Sequence, residues 1–365
     1  MAAKLRVVFA LSLLALLGSV PRRAAAQGGV ATVLRGRVIP AGGGDARAVR
    51  VSARAGAWAD SAGVDSAGRF LIPLPERPIA DSLELRVDAA DPAAAAFHPA
   101  RLRLGPTDLT LEQEIVLVPL QWTIRAGRYA GRRVEIRLAR AFSPPCAGCT
   151  GFFRAFRVYG DSARTRLQGW PAERFPLRVA FDREWSRERM TAGDSVAFWR
   201  EADELEETFG ADVFRPASHA DALPREDGGP DDVILVWFDS DMHGLGGIGT
   251  AVSSEDDIGY GDLRLNRHAL RSEEGAPGLV AHELMHTLGF GHTCAWRSVV
   301  ADARRCPQLR APTATEEDVA YANLAAEIRA LLREHAARWA LEAALAAMPS
   351  PPGGRAVAAR REGAP

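Results

Sequence analysis

Lysine is all but missing from this chain. Of its 45 basic residues only Lys4 is a lysine, a bias we read as genomic base composition without functional content. A surplus of either charge is missing too. Against 46 acidic residues the net charge is −1, so nothing electrostatic points to nucleic acid or an anionic membrane surface as a partner. Beyond Val7 to Val20 no stretch is long and apolar enough to span a bilayer. Cysteine is scarce, with 4 in 365 residues, and none follows Ala24-Ala25-Ala26 directly, which argues against a lipid anchor. Histidine is scarce as well. There are 8, and three of them fall in one short segment.

What is present supports a globular, exported chain. A length of 365 residues suggests two domains more readily than one, and 47% hydrophobic content is ample for a core. Lys4 and Arg6 precede the apolar run Val7 to Val20, and Ala24 to Ala26 offers a small-residue cleavage site. Residues 1–26 therefore read as a signal peptide, with an uncleaved anchor as the alternative. We expect a secreted, periplasmic or extracellular protein starting near Gln27, without a stable membrane anchor and monomeric. In an oxidising compartment the cysteines should pair. Cys294 and Cys306 bracket a loop just after His292, and Cys146 and Cys149 form a C-x-x-C without the context of a redox motif.

The chemistry sits in His282-Glu283-Leu284-Met285-His286-Thr287-Leu288-Gly289-Phe290-Gly291-His292. Four residues apart on a helix, His282 and His286 lie one turn apart on one face and can bind one metal ion. Gly289 can take the left-handed conformation that ends a helix, so the chain can turn back and bring in His292. Three protein ligands leave a fourth zinc position open, as in catalytic sites. Glu283 is the candidate general base.

These residues resemble the H-E-x-x-H-x-x-G-x-x-H signature of the metzincin zinc endopeptidases. The resemblance implies one catalytic zinc on His282, His286 and His292, with Glu283 taking a proton from the attacking water. It implies a protein or peptide substrate and a methionine in a turn beneath the ligands. In the related matrixins that methionine lies eight residues after the third histidine. Here the position holds Val300, and the only later methionine is Met348. Two readings of Cys146 and Cys149 stay open: a local disulfide, or a thiolate silencing the zinc as in matrixin propeptides, although the matrixin switch sequence is absent.

Between residues 27 and 120 short candidate strands alternate with turns, and six of them suggest a small antiparallel β-sandwich. They are Val33 to Ile39, Ala48 to Ala53, Arg69 to Leu74, Ser82 to Ala89, Ala100 to Leu104 and Leu111 to Leu120. The run from Gly36-Arg37-Val38 to Ile72-Pro73-Leu74-Pro75 resembles the carboxypeptidase regulatory-like, transthyretin-like domain. That resemblance implies a spacing unit or a binding module for glycan or protein. His98 reads as a surface residue. Residues 121–170 form a connecting β region with the C-x-x-C, either completing the sandwich or covering the protease.

Residues 171–348 read as the metalloprotease domain, a mixed twisted sheet with helices, and the fold class as α+β. Thr191 caps a helix with the buried stripe Phe198, Ala202, Leu205 and Phe209, ended by Gly210. Val233 to Phe238 reads as a central strand. Gly244 to Val252 is either a flexible loop or an edge strand whose glycines let a substrate backbone approach. Asp239, Asp241, Glu255, Asp256, Asp257 and Asp262 are oxygen ligands of a kind that suits calcium, and His243 suits a second, structural zinc. A run of solvated acids is the commoner explanation, and neither ion belongs to the firm reading. The active-site helix should start near Pro277. No residue is named as a second oxyanion donor, since nothing in the spacing of Tyr260 supports that role. Thr315 to Asp318 opens a last helix reaching Met348, before a disordered tail at 349–365. The rival function is a catalytically weak or inactive zinc-holding protein that binds a partner through its sandwich.

Overall fold

The computed structural model describes residues 33–137, 169–182 and 190–347, apart from 77, 78, 80, 81, 107, 111, 219–231, 243, 244, 255, 256, 272–276 and 295. The signal-peptide reading, the Cys146–Cys149 pair and the C-terminal tail lie outside the described residues. So do His243, Glu255 and Asp256. The chain is a mixed α+β fold.

The N-terminal part holds β1 (Val33–Pro40), β2 (Val49–Ala55), β3 (Trp58–Gly63), β4 (Arg69–Pro73), β5 (Leu83–Ala89), β6 (Ala100–Leu104) and β7 (Gln113–Leu117). They form two sheets, β4-β1-β7 and β3-β2-β5-β6. Period-2 alternation drives them together. In β5 Leu83, Leu85 and Val87 point inward while Glu84 and Arg86 point out. The enclosed cluster includes Leu34, Val51, Phe70, Ile72, Ile115 and Leu117. Two expectations need correction. The sandwich is not purely antiparallel, because β7 returns beside β1 in parallel register. A seventh strand, β3, escapes the sequence pattern because Trp-Ala-Asp-Ser-Ala-Gly has no alternation and stays largely exposed at a sheet edge. The turn Asp65 to Gly68 forms as its residue types suggest. The Asp65 carboxylate accepts from Ala67 and Arg69 N–H, and Gly68 sits at φ +79 where a Cβ would lie 2.4 Å from Val38 O.

The hairpin β8 (Gln121–Thr123) and β9 (Arg133–Glu135) covers the C-terminal part. Trp122, Ile124, Val134 and Ile136 are buried in the same cluster as Tyr321, Phe198 and Val300, and that cluster also takes in Ile39, Ala41, Val116 and Val118. Arg137 N–H donates to the Tyr321 hydroxyl at 2.8 Å. His98 is half-buried, with Nε2 2.7 Å from Ile136 O. It ties the first module to this hairpin and is not a free surface group. Burial pulls its pKa below the usual value.

The C-terminal part is a five-stranded sheet in the order β11-β10-β12-β14-β13. The ranges are β10 (Leu177–Phe181), β11 (Phe214–Pro216), β12 (Val233–Phe238), β13 (Gly247–Ser254) and β14 (Asp257–Leu265). Only β13 runs antiparallel. The apolar run Val233 to Phe238 does lie in the centre. Its helices among the described residues are, in chain order, α1 (Ala192–Phe209), α2 (Arg267–Arg271), α3 (Leu279–Thr287) and α4 (Glu316–Ala347). Thr191 and Asp194 close a capping box on α1, and Gly210 ends it at φ +68. Phe198, Ala202, Leu205 and Phe209 are all buried. Each such Phe or Leu stabilises by roughly 1.5–3 kcal/mol. Thr315 opens α4, whose Tyr321, Leu324 and Ile328 are buried and Leu331 half-buried. No helix among the described residues is long and apolar enough to cross a membrane.

Candidate metal centre

The helix that carries the first two histidines is anchored from outside itself. Its N-cap is Gly278 at φ +79, where a Cβ would lie 2.1 Å from Pro312 O. Pro277 sits one residue before the cap and not in the first turn, a correction to the expected start. No side chain of this segment caps the helix. Glu201 of α1 does so, accepting from Val280 N–H at 2.8 Å and Ala281 N–H at 3.3 Å. At the other end Trp170 Nε1 donates to Thr287 O at 2.9 Å. Arg329 holds that tryptophan through its carbonyl at 3.1 Å and also pairs with Asp257.

Gly289 takes φ +97, its N–H returning to His286 O and Phe290 N–H to Met285 O. This turn brings His292 back to the helix. His282 Nε2 then lies 3.1 Å from His286 Nε2 and 3.2 Å from His292 Nε2. The outer nitrogens of the first two are fixed: His282 Nδ1 donates to Val299 O at 2.7 Å and His286 Nδ1 to Phe290 O at 2.6 Å. Both inner Nε2 atoms are therefore acceptors in the neutral rings, facing each other without a proton between them. Such a set suits a cation at its centre, and the second hydrogen bond on each ring is the usual support of a metal-ligating histidine. Burial lowers all three pKa values, that of His286 to about 4, which keeps the rings neutral and able to ligate near pH 7. The three histidines could hold a metal ion, and they are the one such group of histidine, cysteine and carboxylate side chains among the described residues.

Glu283 is 5% exposed. Burial raises its pKa to about 7, opposed by a hydrogen bond from Gly249 N–H and by the charge of Arg310. This contact changes the reading of the glycines in β13. A Cβ on Gly247 would lie 2.6 Å from Glu283 Cγ, and one on Gly249 would lie 2.2 Å from Glu283 O. These glycines let the strand lie directly on α3; substrate approach does not explain them. The segment is a strand and not a loop, at the sheet edge, with Ile248 39% and Val252 51% exposed.

Beneath the ligands the chain makes a tight turn at Ser298 to Ala301. Val299 and Val300 are fully buried there. Asp318, buried in the first turn of α4, organises that turn. It accepts from Ser298 Oγ at 2.5 Å, Val299 N–H at 2.9 Å, Thr315 N–H at 3.0 Å and Trp296 Nε1 at 3.3 Å. Trp296 stacks on Tyr321 with ring centroids 4.4 Å apart. Cys294 and Cys306 form a disulfide, the pairing expected for the loop after His292.

Other candidates fall away from the site. Tyr260 packs with Ala180, Val233 and Leu235 on the opposite face of the sheet from α3, so it is not an oxyanion donor. Burial raises its pKa. Asp257 is engaged by Arg329 and Arg333, and Asp262 by Trp237 Nε1. Among the described residues these acids do not converge on a calcium site. Glu201, Trp170 and Asp318 were not singled out by sequence reasoning as site supports. Thr315 and Asp318 were legible only as a helix cap. No known protein family, curated protein or solved structure matches this chain.

Proposed function

We propose that this chain is an exported zinc-dependent endopeptidase of the metzincin type. The observation that carries the reading is the convergence of three Nε2 atoms, two of them backed by carbonyls on Nδ1, beside a buried glutamate. His282, His286 and His292 would hold the ion. A bound zinc would polarise the scissile carbonyl, stabilise the developing oxyanion and acidify water. Glu283 would take the proton from the attacking water and pass it to the leaving amine. Its burial supports that role by raising its pKa toward neutrality, and a nearby cation would draw the value down again. The exposed edge of β13 would take an extended peptide by strand addition, with Ile248 and Val252 turned outward. The Cys294–Cys306 disulfide supports a site of action in an oxidising compartment.

Cleavage of an unfolded protein substrate by the full chain tests this. The expected result is cleavage that a chelator abolishes and zinc restores, with one zinc per chain by elemental analysis. One zinc per chain without cleavage across a broad substrate panel would favour the zinc-holding binding protein. Val300 would then be the first residue to change to methionine.

A further inference from the structure

Arginine dominates the outward face of the four-stranded sheet in the first module. The inward positions of that sheet, such as Val51, Leu85 and Leu104, are buried in the sandwich. By period-2 alternation the residues between them point to solvent. On β2, β5 and β6 those places hold Arg50, Arg54, Arg86, Arg101 and Arg103, all exposed. The outward carboxylates of the same strands are Glu84 and Asp88. The whole chain is near neutral at −1, so this positive excess is local.

Strand register sets the cations side by side. Arg86 lies directly opposite Arg101, a like-charge pair that weakens a sheet. Arg86 turns along its own strand to Asp88, at 3.1 Å. Glu84 lies opposite Arg54 on one side and Arg103 on the other. A cleft of about 460 Å³ opens there, with Arg54, Ser82, Glu84, Arg101 and Arg103 in its lining. Arg103 Nε donates to Ser82 Oγ at 2.9 Å, which fixes that side chain in the cleft wall.

The outward positions of β2, β5 and β6 carry no aromatic and no large apolar side chain. A protein partner would need such an anchor, a single-stranded nucleic acid a stacking platform, and a membrane an apolar insertion. A polar chain bearing anions along its length needs none of these. Strands about 4.8 Å apart, with same-face residues about 7 Å apart along each, spread the guanidinium groups into an array. Each guanidinium can meet an anionic group through two parallel N–H···O bonds.

We propose that this face binds an acidic polysaccharide, a sugar chain bearing carboxylate or sulfate groups. The proposal is independent of the peptidase reading and concerns a different part of the chain. The test measures binding of the full chain to alginate, which carries carboxylates, to dextran sulfate and to neutral dextran. The expected result is binding of one or both acidic polymers, weakened by salt, and none of neutral dextran. Binding of alginate alone identifies carboxylate as the recognised group, and binding of dextran sulfate alone identifies sulfate. Arg101→Gln combined with Arg103→Gln should weaken binding roughly tenfold, the joint effect of two exposed charge pairs, with Tm unchanged. Arg54→Gln, in the same cleft, should weaken it as well and serves if the double variant lowers Tm. Arg35→Gln combined with Arg69→Gln removes the same charge from exposed positions on the other sheet and should leave binding nearly unchanged. Absence of binding to both acidic polymers would overturn the proposal, as would binding that survives the cleft substitutions or falls equally in the two double variants. Tighter binding of polyglutamate, of a single-stranded oligonucleotide or of phosphatidylglycerol vesicles would overturn it in favour of that partner.

Discussion

The three clustered histidines depend on groups outside their own cluster. Val299 O orients His282, and Asp318 orients Val299 through its N–H. Replacing Asp318 by alanine removes an acceptor shared by four donors. The expected cost is about 3 kcal/mol or more, seen as a lower Tm. Zinc affinity should fall by roughly tenfold to hundredfold in a competitive titration, because a supporting hydrogen bond is lost. A lower Tm with unchanged affinity would show that the turn does not orient the ligand. At this scale the sequence was informative where function follows a short period, as in His282, His286, Gly289 and His292. It was silent where partners lie far apart in the chain. Trp170 meets Thr287 and Glu201 meets Val280, and no local pattern records such meetings.

Among the elements, α3 and β13 act as one unit because the strand lies on the helix through glycines. Gly249→Ala would place a methyl against the backbone oxygen of Glu283, where neither partner can yield. We expect a loss of about 1–3 kcal/mol and a large drop in activity. Gly259→Ala, on β14, meets nothing within 4 Å and should leave both nearly unchanged. Equal effects of the two substitutions on Tm and cleavage would contradict the close approach. Thr191→Ala should cost about 1 kcal/mol through the lost capping box on α1. Capping chemistry and apolar stripes made α1, β12 and α4 legible in the sequence. The glycines of β13 were legible only as residue types, since a glycine for substrate and a glycine for a neighbouring helix look alike. Strand β3 lacked any alternation, and the parallel return of β7 beside β1 is a matter of topology that residue patterns do not carry.

Across the whole molecule, one buried cluster joins the first module to the site-bearing part. Ile39, Ala41, Val116 and Val118 pack with Trp122, Val134 and Tyr321 in that cluster. Deleting residues 33–118 should therefore lower the Tm of what remains, and an unchanged Tm by calorimetry would show that the module is independent. Metal should stabilise the same cooperative unit. At free zinc about 100 times Kd the expected gain is about 2.7 kcal/mol, removed by a chelator and restored by zinc. Fold class was legible from the order of patterns along the chain; the sharing of a core between modules was not, because either half reads as self-sufficient.

Peptidase activity, as proposed, depends on Glu283 beside the three histidines. The most direct measurement compares kcat/KM on one peptide for the wild type and Glu283→Gln, each holding one zinc per chain. The variant is expected to keep its zinc and Tm and to lose activity by roughly 10²-fold or more. Comparable activity in the two proteins would contradict it.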